Sequence, residues 1–196
     1  EVASQYHSEF VDNFARLGFS YDRYAATTDA SHQEQVQEII RRLYAHGWLY
    51  PQVQEQTWCE HCGKFLPDRY VEGTCPRCGA KDARGDQCDS CGSLLDPSDL
   101  EEQHCKLCGH QPGLKKTQHL FFKLSKFQKE IQELADQKDS QWRVNAREAT
   151  GRYLEEGLLD RAISRDIDWG IPIPIPGYEG KRVYVWFEAV LGYLTT

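Results

Sequence analysis

Residues 59–109 read CEHCGKFLPDRYVEGTCPRCGAKDARGDQCDSCGSLLDPSDLEEQHCKLCG, and the fold turns on this stretch. The pattern C-x-x-C-G occurs four times, at Cys59–Gly63, Cys75–Gly79, Cys88–Gly92 and Cys105–Gly109, and it uses all eight cysteines of the chain. Two thiolates at this spacing can face one ion because the turn between them is tight. A glycine just after them can take the positive φ that curls the backbone around a metal. Eight thiolates in four knuckles make two tetrahedral four-cysteine sites, which suit zinc best. Disulfides or an iron–sulfur cluster would leave the repeated glycine unexplained, and disulfides need an oxidising compartment. A four-cysteine site is closed and has no open position for water, so the metal reads as a structural staple rather than a catalyst.

The surroundings agree. The segment 55–117 is rich in Gly, Cys, Pro and Asp, with few aliphatics: Leu66, Val71, Leu94, Leu95, Leu100, Leu107 and Leu114. Such a segment cannot offset the entropy of folding by apolar burial, so metal binding has to supply the difference. The chain as a whole has 196 residues, 40% hydrophobic and 12% aromatic, enough for one or two compact units with a core. No stretch approaches a membrane span and no signal peptide opens the chain, which points to a reducing cytoplasm where C-x-x-C pairs are metal ligands. The formal charge is −7. Two four-thiolate zinc sites, each −2, take it to −11. A chain this acidic is not a general phosphate binder, DNA is not an expected partner, and any RNA contact requires a local patch. The sequence begins at Glu1 and contains no methionine, so it reads as a piece cut or processed from a longer protein.

Working outward, Val2, Tyr6, Phe10 and Phe14 recur every four residues and predict a helix over 2–17, ended by Gly18. Ser31 with Glu34 forms a capping-box pair ahead of Val36, Ile39, Ile40, Leu43 and Tyr44, predicting a helix over 32–46. His32, at its start, reads as solvated. Trp48–Val53 predicts a short strand into the knuckles and Gln118–Ser125 a strand out of them. Ser125 with Gln128 suggests a second capping box. A polar break spans 136–141. Trp142–Glu156 predicts a helix with Val144, Ala149, Tyr153 and Leu154 facing inward. Ile171, Ile173 and Ile175 alternate with prolines, so this segment is an edge strand or an isolated arm. RVYVWF, Arg182–Phe187, reads as a strand buried on both faces, as in a parallel α/β sheet, with a helix opening at Glu188–Leu194.

Four knuckles group into two sites in three ways: sequential, crossed or nested. The shortest interval, Cys78 to Cys88, favours Cys75, Cys78, Cys88 and Cys91 as one unit only weakly, because loop closure costs little more for longer loops. A resemblance narrows this choice. FLPDRYVEGTCPRCGAKDARGDQCDSCGSLLDP (Phe65–Pro97), DRAISRDIDWGIPIP (Asp160–Pro174), YVWFEAVLGY (Tyr184–Tyr193) and TTDASHQEQVQEIIRRLYAHGWLY near the N-terminus are similar to methionyl-tRNA synthetases, over nearly the whole chain.

That resemblance implies a class I synthetase α/β fold, a Rossmann-like nucleotide-binding domain interrupted by a zinc-knuckle connective insertion. The implied division is residues 1–47 for a helical part of the catalytic domain and 48–117 for the insertion. The rest of the connective region then covers 118–181, and a return strand with a helix start covers 182–196. The pairing it implies is nested: Cys75, Cys78, Cys88 and Cys91 inside, Cys59, Cys62, Cys105 and Cys108 outside. It implies ATP with Mg, methionine and the acceptor arm of tRNA(Met) as substrates and partners. Trp186, Ala189, Val190 and Tyr193 would line the amino-acid pocket, and Arg165 would be a catalytic arginine. The family pattern has aspartate where this chain has Glu188 and proline where it has Val190. HIGH-type and KMSKS-type signatures are absent from these residues, so the piece alone is expected to be inactive. The competing reading is a free-standing zinc-ribbon module for RNA or protein, which the acidic charge and the dense RVYVWF run oppose. His61, His104 and His110 flank ligand cysteines and read as surface histidines. His119 has no catalytic constellation around it in the sequence.

Overall fold

The structure, a computed structural model, describes residues 2–85, 87–93, 95–138 and 141–195. Leu94, the centre of the polar break at 136–141 and the outermost residues 1 and 196 lie outside these. Two helices come first, α1 (Val2–Arg16) and α2 (Ala30–Ala45), close to the expected spans. Gly18 and Gly47, at φ 77° and 73°, turn the chain after them. The cap of α2 differs from expectation. Asp29 is the N-cap, its carbonyl accepting the Gln33 amide at 3.1 Å, and no side chain caps the helix. The helix therefore starts before Ser31, and the Ser31–Glu34 pair is not its capping box.

β1 (Leu49–Cys59) is far longer than the expected Trp48–Val53 strand. β2 (Lys64–Phe65) folds back on its end. β3 (Val71–Thr74), β4 (Ala83–Arg84) and β5 (Glu101–Cys105) form a small antiparallel sheet in the order β4-β3-β5. β6 (Gly113–Phe122) then returns beside β1 in continuous register, from Trp58 opposite Gly113 to Leu49 opposite Phe122. This two-stranded ribbon spans roughly 30 Å. The turns between its ends hold all four knuckles.

α3 (Gln128–Lys138) and α4 (Val144–Glu156) follow. Ser125 and Gln128 do not form the second capping box. Residues Leu124–Phe127 are a 3₁₀ turn, and Gln128 reaches across to α4. Its Nε2 donates to the Leu154 carbonyl at 2.9 Å, and its Oε1 accepts the Leu158 amide at 2.8 Å. Of the four residues expected to face inward on α4, Leu154 is buried and Ala149 half-buried, while Val144 and Tyr153 are exposed. β7 (Arg161–Ala162) joins the long ribbon to complete the order β2-β1-β6-β7.

β8 (Ser164–Arg165) pairs antiparallel with β9 (Arg182–Val183), and α5 (Val185–Thr195) ends the described chain. RVYVWF is thus not a strand buried on both faces. The Tyr184 amide makes the last sheet-like bond, to the Ile163 carbonyl at 2.8 Å. The Phe187 and Glu188 amides then turn back to the Tyr184 carbonyl at 2.9 and 3.1 Å, and a helix begins. Tertiary context overrides the β propensity of Val, Tyr and Trp here. All strand pairings among the described residues are antiparallel. The isoleucine–proline segment is an extended arm with a single bridge, Pro172 to Arg182. Its isoleucines are buried while Pro172 and Pro176 face out.

Two cores result. Val36 and Ile40 of α2, Leu49 and Leu120 of the ribbon, Ile163, Ile171, Ile173, Ile175, Tyr178 and Val183 form the larger. Cys59, Cys75, Cys88 and Cys105 with Leu66, Val71, Ala83, Leu95 and Leu100 form the smaller. The fold is mixed α/β.

Candidate functional site

The knuckles close as their sequence demands. Gly63, Gly79, Gly92 and Gly109 have φ between 63° and 75°, the left-handed region a side chain would disfavour. In three of them the glycine amide bonds the first cysteine's carbonyl: Gly79 to Cys75 at 2.9 Å, Gly92 to Cys88 at 2.8 Å, Gly109 to Cys105 at 2.7 Å. The first knuckle, at the end of β1, bonds Gly63 to Glu60 instead, at 3.3 Å. The eight sulfurs gather into two groups, Cys59, Cys62, Cys105 and Cys108, and Cys75, Cys78, Cys88 and Cys91. This is the nested arrangement. The strand pairing explains it, because Trp58 opposite Gly113 brings Cys59 at the end of β1 beside the knuckle that precedes β6, while the middle knuckles close on each other.

The distances separate metal ligation from disulfides. Cys59–Cys108 and Cys62–Cys105 are 3.5 and 3.9 Å apart, Cys75–Cys91 and Cys78–Cys88 3.9 and 3.6 Å. A disulfide requires about 2.05 Å. Four sulfurs at about 2.3 Å from a tetrahedral zinc lie about 3.8 Å from one another. The Cys62 amide also donates to Cys59 Sγ at 3.4 Å. That amide, followed by the neighbouring thiols, holds Cys59 down at about 7. Cys62 is pushed up to about 12, chiefly by its hydrogen bond to Cys108. In the inner group the Ser93 hydroxyl and amide bring Cys91 down to about 6. The Ala80 amide opposes a rise at Cys78, yet its bond to Cys91, burial and the other sulfurs push it up to about 12. In each group one thiolate is favoured and the next is resisted by its neighbours. A divalent cation is what allows all four to ionise together.

At the other end of the chain, α5 presents the predicted pocket residues on one surface. Trp186, Val190 and Tyr193 fall at i, i+4 and i+7, and Ala189 lies between them. Trp186 is 69% exposed, Val190 64% and Tyr193 90%, and Ala189 is half-buried. The opposite side of the helix, Phe187 and Leu191, packs on the larger core. The outer side of α5 is thus apolar and exposed.

Comparison with known proteins decides the family. The model of class I tRNA synthetases of the methionine type matches residues 1–196. The chain belongs to the class I tRNA synthetases. Methionine–tRNA ligase 1 of Alkaliphilus oremlandii is 57% identical over 195 residues, covering 100% of this chain and 36% of the relative. Methionine–tRNA ligase of Bacillus mycoides is 54% identical over 196 residues, covering 98% of this chain and 36% of that protein. The chain thus spans about a third of the length of the curated relatives it matches. Among solved structures, Mycobacterium tuberculosis methionyl-tRNA synthetase in complex with methionyl-adenylate aligns over 95% of this chain and 32% of that one. Its TM-score is 0.60 at 23% identity, a likeness of fold.

In this class I synthetase chain, Arg165 is half-buried on β8. Its Nη1 donates to the carbonyls of Ala162 and Ser164, both at 2.9 Å, and its guanidinium lies 3.8 Å over the Tyr184 ring. Burial lowers its pKa, while Tyr184 and Asp68 oppose the shift. Arg165 and the α5 surface are joined through Tyr184, the residue between β9 and α5. Lys115 and Lys116 lie on the ribbon, Lys115 with its Nζ 3.6 Å from the Trp58 ring centroid and Lys116 opposite Glu55.

The synthetase chain also holds buried polar groups that the sequence reading missed. His32 is not solvated. It is 3% exposed, and its Nδ1 lies 2.6 Å from Thr195 Oγ1, pinning α2 to α5. Glu188, on the inner side of α5, is buried, and burial raises its pKa. His119 is fully buried, with Nδ1 2.8 Å from Ser164 Oγ and Nε2 3.2 Å from both Gln56 Oε1 and Asp166 Oδ2. Ser164 Oγ accepts the Leu120 amide at 3.0 Å, and the Asp166 carboxylate can only accept, so His119 Nε2 carries a hydrogen. Asp166 Oδ1 also binds Lys181 Nζ at 2.5 Å, and Thr117 Oγ1 donates to its Oδ2 at 2.7 Å. These residues come from four separate segments, and no spacing in the sequence marks them as partners. No helix among the described residues is long and apolar enough to cross a membrane.

Proposed function

We propose that this chain is the part of a methionine–tRNA ligase that carries its zinc-held connective insertion and one wall of its methionine site. The parent protein activates methionine with ATP and Mg and transfers it to tRNA(Met) in the cytoplasm. The insertion stands near the tRNA acceptor arm. The single observation that carries this reading is the exposed side of α5, where Trp186, Ala189, Val190 and Tyr193 share one surface in a chain matched over its whole length by methionine–tRNA ligases. A thioether is a soft, weak acceptor. The Tyr193 hydroxyl donates to the sulfur while Trp186 packs against the terminal methyl. Arg165, tied to its own hairpin by one nitrogen and stacked on Tyr184, turns the remainder of its fork toward a carboxylate or phosphate. Zinc, bound by the two four-cysteine groups, supplies structural cross-links. Residues 1–47 and 182–196 belong to the catalytic domain, 48–117 to the insertion and 118–181 to the remaining connective region.

The test uses the parent enzyme with Trp186→Ala. The KM for methionine rises about tenfold or more with kcat little changed, since the contact binds ground state and transition state alike. An unchanged KM would return Trp186 to a packing role. The 196-residue chain alone is expected to give no methionine-dependent exchange of pyrophosphate into ATP.

A further inference from the structure

The outer cysteine group has two neighbours that the inner group lacks. His61 sits inside the first knuckle, between Cys59 and Cys62, and His110 follows Gly109 of the fourth. The nested pairing brings them together, with imidazole centroids 4.1 Å apart and rings 10° from parallel. One ligand atom from each, with Cys108 Sγ, lies within 4.8 Å of the others, and both imidazoles face solvent. The His110 carbonyl accepts the Cys105 amide at 2.8 Å, which anchors its backbone to the knuckle. Its Nδ1 lies 3.1 Å from the Cys108 carbonyl oxygen. A carbonyl only accepts, so Nδ1 carries the hydrogen and Nε2 keeps its lone pair. Metal-ligating histidines are commonly oriented by such a bond to a backbone carbonyl. At the matching places the inner knuckles carry Arg77 and Ser93, neither of them a ligand of this kind.

We propose that His61, His110 and the Cys108 sulfur form a third, solvent-facing site for a borderline divalent cation such as zinc, bridged through Cys108 to the outer four-cysteine site. A thiolate bound to one metal keeps lone pairs with which to bind a second. Two imidazoles and a thiolate suit zinc, cobalt(II) or nickel(II). Nitrogen and sulfur donors around a tetrahedral zinc lie about 3.4–3.8 Å apart, and an imidazole holds its metal in the ring plane, so closure draws the donors together and turns the two exposed rings out of their stack. Three protein ligands leave the fourth position to water, so this ion exchanges where the four-cysteine ions do not.

The experiment loads the chain with two zinc ions, removes the excess and titrates with cobalt(II). One cobalt binds per chain, with the visible bands of a mixed nitrogen–sulfur site. His61→Ala combined with His110→Ala abolishes that binding while elemental analysis still finds two zinc ions. Two zinc ions with no cobalt in the unsubstituted chain, or unchanged cobalt binding in the double variant, overturns the third site alone. Loss of a zinc ion from the double variant also overturns it, because the histidines would then be ligands of the outer ion itself. Fewer than two zinc ions in the unsubstituted chain overturns both this proposal and the two-zinc reading on which it rests.

Discussion

The core around α2 and the core around the knuckles are made of different material. The first is aliphatic: five isoleucines, two valines and two leucines with Tyr178, drawn from segments as far apart as residues 36 and 183. The second has four cysteines among its nine buried members, and its aliphatic share is Leu66, Val71, Leu95 and Leu100 with Ala83. Burial stabilises in proportion to apolar area, so the first core can hold itself together and the second is too small to do so. What separates two halves of one short chain is therefore the source of their folding free energy. The ribbon of β1 and β6 joins them, with Leu49 in one core and Cys59 in the other.

The largest break in this comparison comes from removing metal. A strong chelator should unfold residues 60–112, since structural zinc contributes on the order of 10 kcal/mol per site. The amides of Val36, Ile40 and Leu120 should stay protected. Hydrogen exchange resolved by segment checks it, and simultaneous loss of protection in both halves would show that they share one cooperative unit. Next in size is Ile40→Ala, a cavity in the aliphatic core costing about 2–5 kcal/mol. Thermal melts should show the loss while elemental analysis shows both ions retained.

The smallest effect sharpens the comparison at the foot of the ribbon. Burial alone would raise Asp166, but hydrogen bonds from His119, Lys181 and Thr117 outweigh it and hold its carboxyl well below the usual carboxylate range. A depressed folded pKa gives stability that is complete above the unfolded value, near 4, and is lost as pH falls toward the folded one. Asp166→Asn should therefore cost about 2 kcal/mol at neutral pH. The deficit should shrink below pH 4, as urea melts at several pH values would reveal.

The knuckles were legible because their information is local: two cysteines and a glycine within five residues fix both the turn and the ligands. Helices α1 and α2 were legible from apolar spacing. The ribbon was not, because residues 54–57, QEQT, show no strand alternation. The stretch 51–55 of β1 is mostly exposed, and the ladder is made of backbone bonds, which leave no pattern in the side chains. RVYVWF misled for the opposite reason. Its apolar density is real, but Phe187 spends it on the core and Trp186 on an open face, a helical division that six residues are too few to display. His32 and His119 were unreadable because their partners, Thr195 and Ser164, lie 163 and 45 residues away.

The register of the ribbon sets more than its length. Side chains alternate faces along a strand, so deleting one residue from each of β1 and β6 would invert every outward position and rotate the knuckles to the far side of the molecule. Deleting two from each would restore the facing and draw the knuckles inward by about 7 Å. The ribbon thus acts as a spacer with a phase. The reach of the knuckle end and the direction in which it looks are encoded separately, the first in the number of strand residues and the second in whether that number is odd or even.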